Sequence, residues 1–405
     1  MRNKKGIYIH IPFCVKKCNY CAFLSFDAES SPRKEYTEAL CEEIRLRAAE
    51  AKDRSIDTVY IGGGTPSVLD VSQMRDIMHT VRECYDIKED AEITIEVNPA
   101  TLGAKDGVAK AKLIAYKSMG FNRISMGVQS MDNDTLHFLG RIHTAENVTR
   151  DAKLIREAGF DNLNLDLIFS IPNPNGDGEY SSKECALEDA KRIIALGPEH
   201  ISCYSLQIEE DTPFADMIES GSLAEVSDEE DRETYHAICK MLKDAGYEHY
   251  EISNFAKPRR RSRHNSLYWD MSDYIAFGLG ASGFEKGKRY KNISDMSEYL
   301  VSISDVALPL EEEHENTPFD NISEAVFTGL RREEGVTYEE ACRAYEAAGG
   351  ELPDDAATVF WDIFRDAKKE AEEFAERGYL RIDDMGLRLT EQGIDISNQI
   401  MALFV

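Results

Sequence analysis

The chain has 405 residues, 42% of them hydrophobic and 30% charged, which excludes a disordered or collagen-like protein and suits one large α/β domain with an appendage. Its 47 basic and 75 acidic side chains leave a formal charge of −28, a field that repels phosphate backbones and argues against nucleic-acid binding. No apolar run approaches the roughly 18 residues of a membrane span, and Pro12 and Cys14 interrupt the early apolar stretch a signal peptide would need. A cytoplasmic protein is therefore expected, in which nine cysteines serve as free thiols, metal ligands or catalytic groups rather than disulfides.

Six short apolar or β-branched runs, at 6–11, 58–61, 93–98, 123–129, 163–168 and 200–208, read as strands. Helical periodicity fills the gaps at 33–51, 71–84, 106–119, 145–158 and 182–196, with Gly120, Gly159 and Gly197 placed just past three of the helices. The alternation implies right-handed crossovers and a parallel sheet. Six units fit either a partial barrel or a doubly wound sheet, and periodicity does not choose. After about 209 the alternation stops. A helical segment at 228–245 leads to a basic run (Lys257, Arg259, Arg260, Arg261, Arg263) and a small-residue loop, Gly278-Leu-Gly-Ala-Ser-Gly283. Residues 311–405 carry 24 acidic against 9 basic side chains. Helices at 322–331, 337–348 and 359–377 and two short strands around 383–386 follow in the order of a winged-helix-like α+β module. With no basic stripe, packing or protein contact is its expected role. The expected division is 1–310, with an extension from about 209, and 311–405.

Cys14-Val-Lys-Lys-Cys18-Asn-Tyr-Cys21 places three thiols within eight residues, directly after the first strand. In a βα-built sheet that loop lies at the carboxyl edge of the strands, where active sites collect. Three thiolates grip an iron–sulfur cluster while leaving one iron open; an incomplete zinc site, buried core thiols and chance spacing are the other readings. Ile61-Gly-Gly-Gly-Thr-Pro-Ser67 follows the second strand, where glycines let a backbone approach a ligand closely. Glu96 closes an otherwise apolar strand, a costly place for an unpaired charge, so a polar cofactor group or an arginine is expected beside it. Gln129, Arg141 and Asp166 are further polar groups at the same rim.

The stretch Tyr8-Ile-His-Ile-Pro-Phe-Cys14-x3-Cys18-x2-Cys21, with these further motifs in order over about 6–395, resembles the radical S-adenosylmethionine proteins. It is most similar to the branch containing oxygen-independent coproporphyrinogen III oxidase and the haem chaperones. The resemblance implies a (β/α)6 partial TIM barrel and a [4Fe-4S] cluster on Cys14, Cys18 and Cys21. It also implies S-adenosylmethionine at the open iron, with Tyr8, Tyr20, Gly64, Thr65, Pro66, Glu96, Gln129, Arg141 and Asp166 around it. A one-electron donor of the flavodoxin or ferredoxin kind is implied as a partner.

Within that branch the decarboxylating enzyme carries C-x3-C-x2-C-x-C, whereas this chain has Phe23 at the last position. Only 13 residues precede Cys14, too few for the enzyme's amino-terminal extension. His264-Asn-Ser-Leu-Tyr-Trp269 matches the haem-associated H-N-x-x-Y-W motif, in which an imidazole suits haem iron and flat rings suit a macrocycle. The preceding cations are expected to receive propionates. A haem chaperone that delivers haem to acceptor haemoproteins is thus the expected function, with His264 touching haem. The alternative is the oxidase, which would decarboxylate porphyrinogen propionates through a 5′-deoxyadenosyl radical. No heptad or large apolar stripe marks an interface; a homodimer stays open.

Overall fold

The computed structural model describes residues 4–172 and 182–405. All six expected strands form: β1 (Lys5–Ile11), β2 (Ser55–Gly63), β3 (Asp86–Val97), β4 (Arg123–Gln129), β5 (Leu163–Phe169) and β6 (His200–Ser205). They pair in parallel and in simple sequence order. A doubly wound sheet reverses its strand order at a switch point, and this one does not, so the architecture is the partial barrel. The connecting helices are α1 (Arg33–Glu50), α2 (Val71–Cys84), α3 (Asp106–Ser118), α4 (Ala145–Glu157) and α5 (Ser182–Ala195). Each lies within a residue of its expected end, because amphipathic spacing and local caps both act there. Asp70 and Thr144, for instance, form capping boxes with Gln73 and Asn147.

The sheet has an apolar face and a polar face. Ile7, Ile9 and Ile11 of β1, Ile124, Met126 and Val128 of β4, and Leu163, Leu165 and Leu167 of β5 join the main core beneath the helices. Their alternates (Tyr8 and His10; Arg123, Ser125 and Gln129; Asn164 and Asp166) lie on the lumen face. A closed barrel fills that space with branched apolar side chains; here it is polar, as a binding chamber requires.

The region after 209 continues the sheet. Helix α6 (Asp228–Asp244) is followed by β7 (Glu248–Glu251) and β8 (Asn254–Ala256), and β8 pairs antiparallel with β6. Next come α7 (Arg263–Trp269) and β9 (Asp273–Phe277), a seventh parallel strand beside β1. Antiparallel β10 (Ser282–Glu285), β11 (Lys288–Asn292) and β12 (Leu310–Glu315) complete the order β12-β11-β10-β9-β1-β2-β3-β4-β5-β6-β8-β7. The sheet thus runs five residues past the expected boundary at 310. The acidic strand β12 pairs with β11, where Lys288 and Lys291 meet Glu313, Glu315 and Glu311.

The carboxyl-terminal unit has its own core around Ile322, Phe360 and Phe404. It holds α8 (Pro318–Gly329), α9 (Tyr338–Ala347), α10 (Ala356–Ile363) and α11 (Arg365–Glu376). The expected third helix is two, parting at Phe364. The short strands Val336–Thr337, Leu380–Ile382 and Gly386–Leu389 form a separate sheet, and only the last two are anticipated by the sequence. This unit meets the large sheet through a bridge between Glu251 and Arg332. No helix among the described residues is long and apolar enough to cross a membrane.

Candidate functional site at the carboxyl ends of the strands

The cysteine loop is held at several points. Phe13–Cys14 pairs in parallel with Phe26–Asp27, which pins the loop's two ends together. Its middle is tied to the turn after β4: Asn19 donates from its backbone to Leu139 O (3.0 Å) and from its side chain to Phe138 O (2.8 Å), while its own carbonyl accepts from Phe214 N (3.1 Å). Tyr20 packs among Leu139, Phe214 and their neighbours. His10 bonds Leu24 O at 3.2 Å, fixing the far limb.

All three cysteines are half-buried and free of disulfides. Burial pushes the thiols of Cys14 and Cys21 up, and each is raised further by the charge of the neighbouring Cys18. A hydrogen-bonded arc joins two of them. Thr65 Oγ1 lies 3.5 Å from Cys14 Sγ and accepts from Asn98 Nδ2 at 2.7 Å. Asn98 Oδ1 accepts from Arg141 at 2.7 Å, and the same guanidinium reaches Gly127 O (2.7 Å) and Cys18 Sγ (3.4 Å). Arg141 is thus tied to the cysteine loop, and among the described residues no carboxylate pairs with it directly, Asp166 acting on it only through space. Asn98, just past the end of β3, is a member of this arc that the sequence does not single out.

The glycine loop supplies the opposite wall. Gly64 N donates to Ile11 O (2.9 Å) and Thr65 N to Phe13 O (2.8 Å), so the loop lies flat against the start of the cysteine loop. A Cβ on Gly64 would sit 2.8 Å from Phe13 O, which is why only glycine fits. Pro66 opens a short 3-10 turn beyond it. Among the described residues no arginine bonds Glu96, though the charge of Arg123 reaches it: its oxygens accept from Tyr60 Oη (2.6 Å) and Gly63 N (3.1 Å). Burial outweighs both bonds and raises its carboxyl to about 7. Asp166 accepts from Asn164 at 2.6 Å and is likewise raised by burial. Gln129 sits at a bulge between β4 and β5 with φ of 69°, a left-handed residue at a ligand rim.

His264 lies away from this rim. Helix α7, capped by Ser262, packs on the amino-terminal ends of β1 and β2, close to Gly6 and Thr58. His264 is 1% exposed. Its Nδ1 bonds Thr58 Oγ1 (2.7 Å), its Nε2 bonds Tyr268 Oη (2.8 Å), and its ring stacks on Tyr60 at 5.1 Å. Burial, aided by the charge of Arg123, lowers its pKa to about 3, so the imidazole is neutral. The basic run does not converge on it. Arg260, Arg261 and Arg263 pair with Asp161, Glu334 and Asp90, and Lys257 lies over the Tyr247 ring. The three paired arginines are thus drawn apart, each to a different acid.

The site fits an iron–sulfur cluster with a polar ligand beside it. Three thiols share one loop, and Arg141 Nε is a buried donor with no partner on the cluster side of the lumen. Among the described residues no three His, Cys, Asp or Glu side chains are gathered as around a metal, the three cysteines included, so the thiols would close on the cluster as it binds.

An open parallel barrel with this loop defines the class, and residues 8–179 match the radical SAM superfamily. The Heme chaperone HemW of Bacillus subtilis is 33% identical over 402 residues, covering 99% of each chain. That of Lactococcus lactis is 31% identical over 100% of this chain and 98% of its own, and that of Escherichia coli 39% identical over 69% of each. Among solved structures, coproporphyrinogen III oxidase (HemN) from Escherichia coli superposes with a TM-score of 0.82 at 23% identity, covering 99% of this chain and 90% of that one, a likeness of fold. The chain belongs to the HemW family of the radical SAM superfamily. That membership implies a [4Fe-4S] cluster and S-adenosylmethionine.

Proposed function

We propose that this protein is a cytoplasmic haem chaperone, which binds a [4Fe-4S] cluster, S-adenosylmethionine and haem and passes haem to acceptor haemoproteins. The observation that carries this reading is the likeness to the Heme chaperone HemW of Bacillus subtilis over 99% of both chains. Cys14, Cys18 and Cys21 would each give a thiolate to the cluster, with Arg141 bonded to the Cys18 sulfur. Gly64, Thr65 and Pro66 would offer backbone to the cofactor, Glu96 its carboxylate, and Gln129, Asp166, Tyr8 and Tyr20 the remaining contacts. When bound, cluster and cofactor supply one-electron chemistry, fed by a flavodoxin- or ferredoxin-like donor. His264 would touch haem; its neutral state is the ligating one, but iron would have to displace Tyr268 from Nε2. The position where the decarboxylating enzyme has a fourth cysteine holds Phe23, 69% exposed.

The test is a set of assays on oxygen-free protein. Reconstitution should give the broad brown absorption of a [4Fe-4S] cluster, lost in Cys18→Ser, and haem titration should give a Soret shift weakened in His264→Ala. Conversion of coproporphyrinogen III to protoporphyrinogen IX with stoichiometric 5′-deoxyadenosine would overturn the proposal in favour of the oxidase.

A further inference from the structure

Beside His264, on the lumen side of α7, lies a cavity of about 290 Å3, just under the size range of ligand pockets. Four parts of the chain wall it: Tyr8, Tyr60 and Tyr204 from the barrel, Glu251 and its neighbours between β7 and β8, Tyr268 and Trp269 from α7, and Arg331 from the turn after α8. Two buried donors on this wall, Trp269 Nε1 and Arg331 Nε, have no hydrogen-bond partner among the described residues. The Arg331 guanidinium stacks over the Trp269 ring at 4.7 Å, which brings the two groups together. Arg331 also makes a single contact of 3.4 Å to Glu251 Oε2. Glu251 has its other oxygen occupied by Ser253 N and Asn254 Nδ2, so it engages the guanidinium at one terminal nitrogen and leaves Nε without a partner among the described residues. A buried unpaired donor is costly, and here two sit side by side among flat rings. That combination suits a carboxylate carried on a flat apolar body.

We propose that Arg331 and Trp269 form a carboxylate anchor for a propionate of the bound tetrapyrrole, which makes the carboxyl-terminal unit one wall of the haem site. This rests on the haem-binding reading above. It also moves the propionate contact from the basic run, three of whose arginines pair with acids of the chain, to a single arginine some 70 residues downstream.

The test uses the full chain, titrated with haem and with haem dimethyl ester, whose propionates are blocked, and followed by Soret absorption. The wild type should bind the ester at least tenfold more weakly than haem, since a bidentate charged contact is lost. Trp269→Phe, which keeps a ring and removes only the N–H, should weaken haem a few-fold and leave the ester unchanged. Arg331→Met should bind haem and ester alike; because Glu251 would lose its cation, it is made together with Glu251→Gln. Equal binding of haem and ester by the wild type, or a preference kept in the Arg331 variant, overturns the anchor alone. Wild-type protein that binds neither overturns the haem reading and the anchor with it.

Discussion

Glu96 is the residue whose environment says most about the lumen. It carries a carboxyl raised to about 7 mainly by burial, which outweighs a phenol, one backbone N–H and the more distant charge of Arg123. The sequence marks it as a charge ending an apolar strand, but Tyr60, its partner, is hidden inside an ordinary strand motif. Register alone puts Tyr60 on the lumen face, beside Tyr8. Between about 4.5 and about 7 the folded protein holds a proton on Glu96 that the unfolded chain releases. Stability therefore falls as pH rises through that window. Glu96→Gln should remove this part of the slope, so its melting temperature rises relative to wild type from pH 5 to pH 8. Its affinity for S-adenosylmethionine should drop by roughly tenfold, the worth of a charge-assisted contact. Paired melting curves and calorimetric titrations at both pH values check this, and parallel melting profiles would contradict the assigned carboxyl. Asn98 shows the opposite limit of legibility. Nothing in a strand-ending asparagine reveals that it joins Thr65 to Arg141, because that join forms only when β3 and the β4 turn meet.

Among elements, the barrel strands and helices are readable because each follows one period and ends at a cap or a glycine. Helix α7 is not. Its seven residues are too few to show a helical stripe, and Ser262 capping Asn265 N is the local signal for its start. The strand after it, β9, sits parallel to β1 although it lies nearly 270 residues on, a pairing no local pattern reports. The same helix explains why His264 is silent in this structure: Tyr268, one turn along, occupies Nε2. Removing that hydroxyl should release the nitrogen. Tyr268→Phe should lose about 1 kcal/mol of stability for one buried hydrogen bond, yet bind haem more tightly and with a sharper low-spin Soret band. Thermal melting and haem titration read the two effects, and weaker haem binding in this variant would argue that the tyrosine, not the histidine, faces the iron.

At the scale of the molecule, the cysteine and glycine loops lie at the carboxyl ends of the strands and α7 at the amino ends, so the two proposed ligands enter a shared lumen from opposite sides. They should bind together rather than compete. Tyr60 spans the interval: its hydroxyl bonds Glu96 at 2.6 Å on the cofactor side, and its ring stacks on His264 at 5.1 Å on the other. A ligand that draws the Glu96 carboxylate toward itself must alter that bond and, through a rigid ring, the seat of His264. Coupling of this kind is reciprocal: the factor by which S-adenosylmethionine changes haem affinity equals the factor by which haem changes that of S-adenosylmethionine. A factor of about fivefold or more is expected, the lower end of ordinary coupling energies. Tyr60→Phe keeps the stacked ring and cuts the bond, so it should bring the factor close to one while each ligand alone still binds. Titrating each ligand calorimetrically in the absence and presence of the other measures both factors. Mutual exclusion would mean that the two occupy one end of the barrel, and an unchanged factor in the variant would mean that the signal bypasses Tyr60.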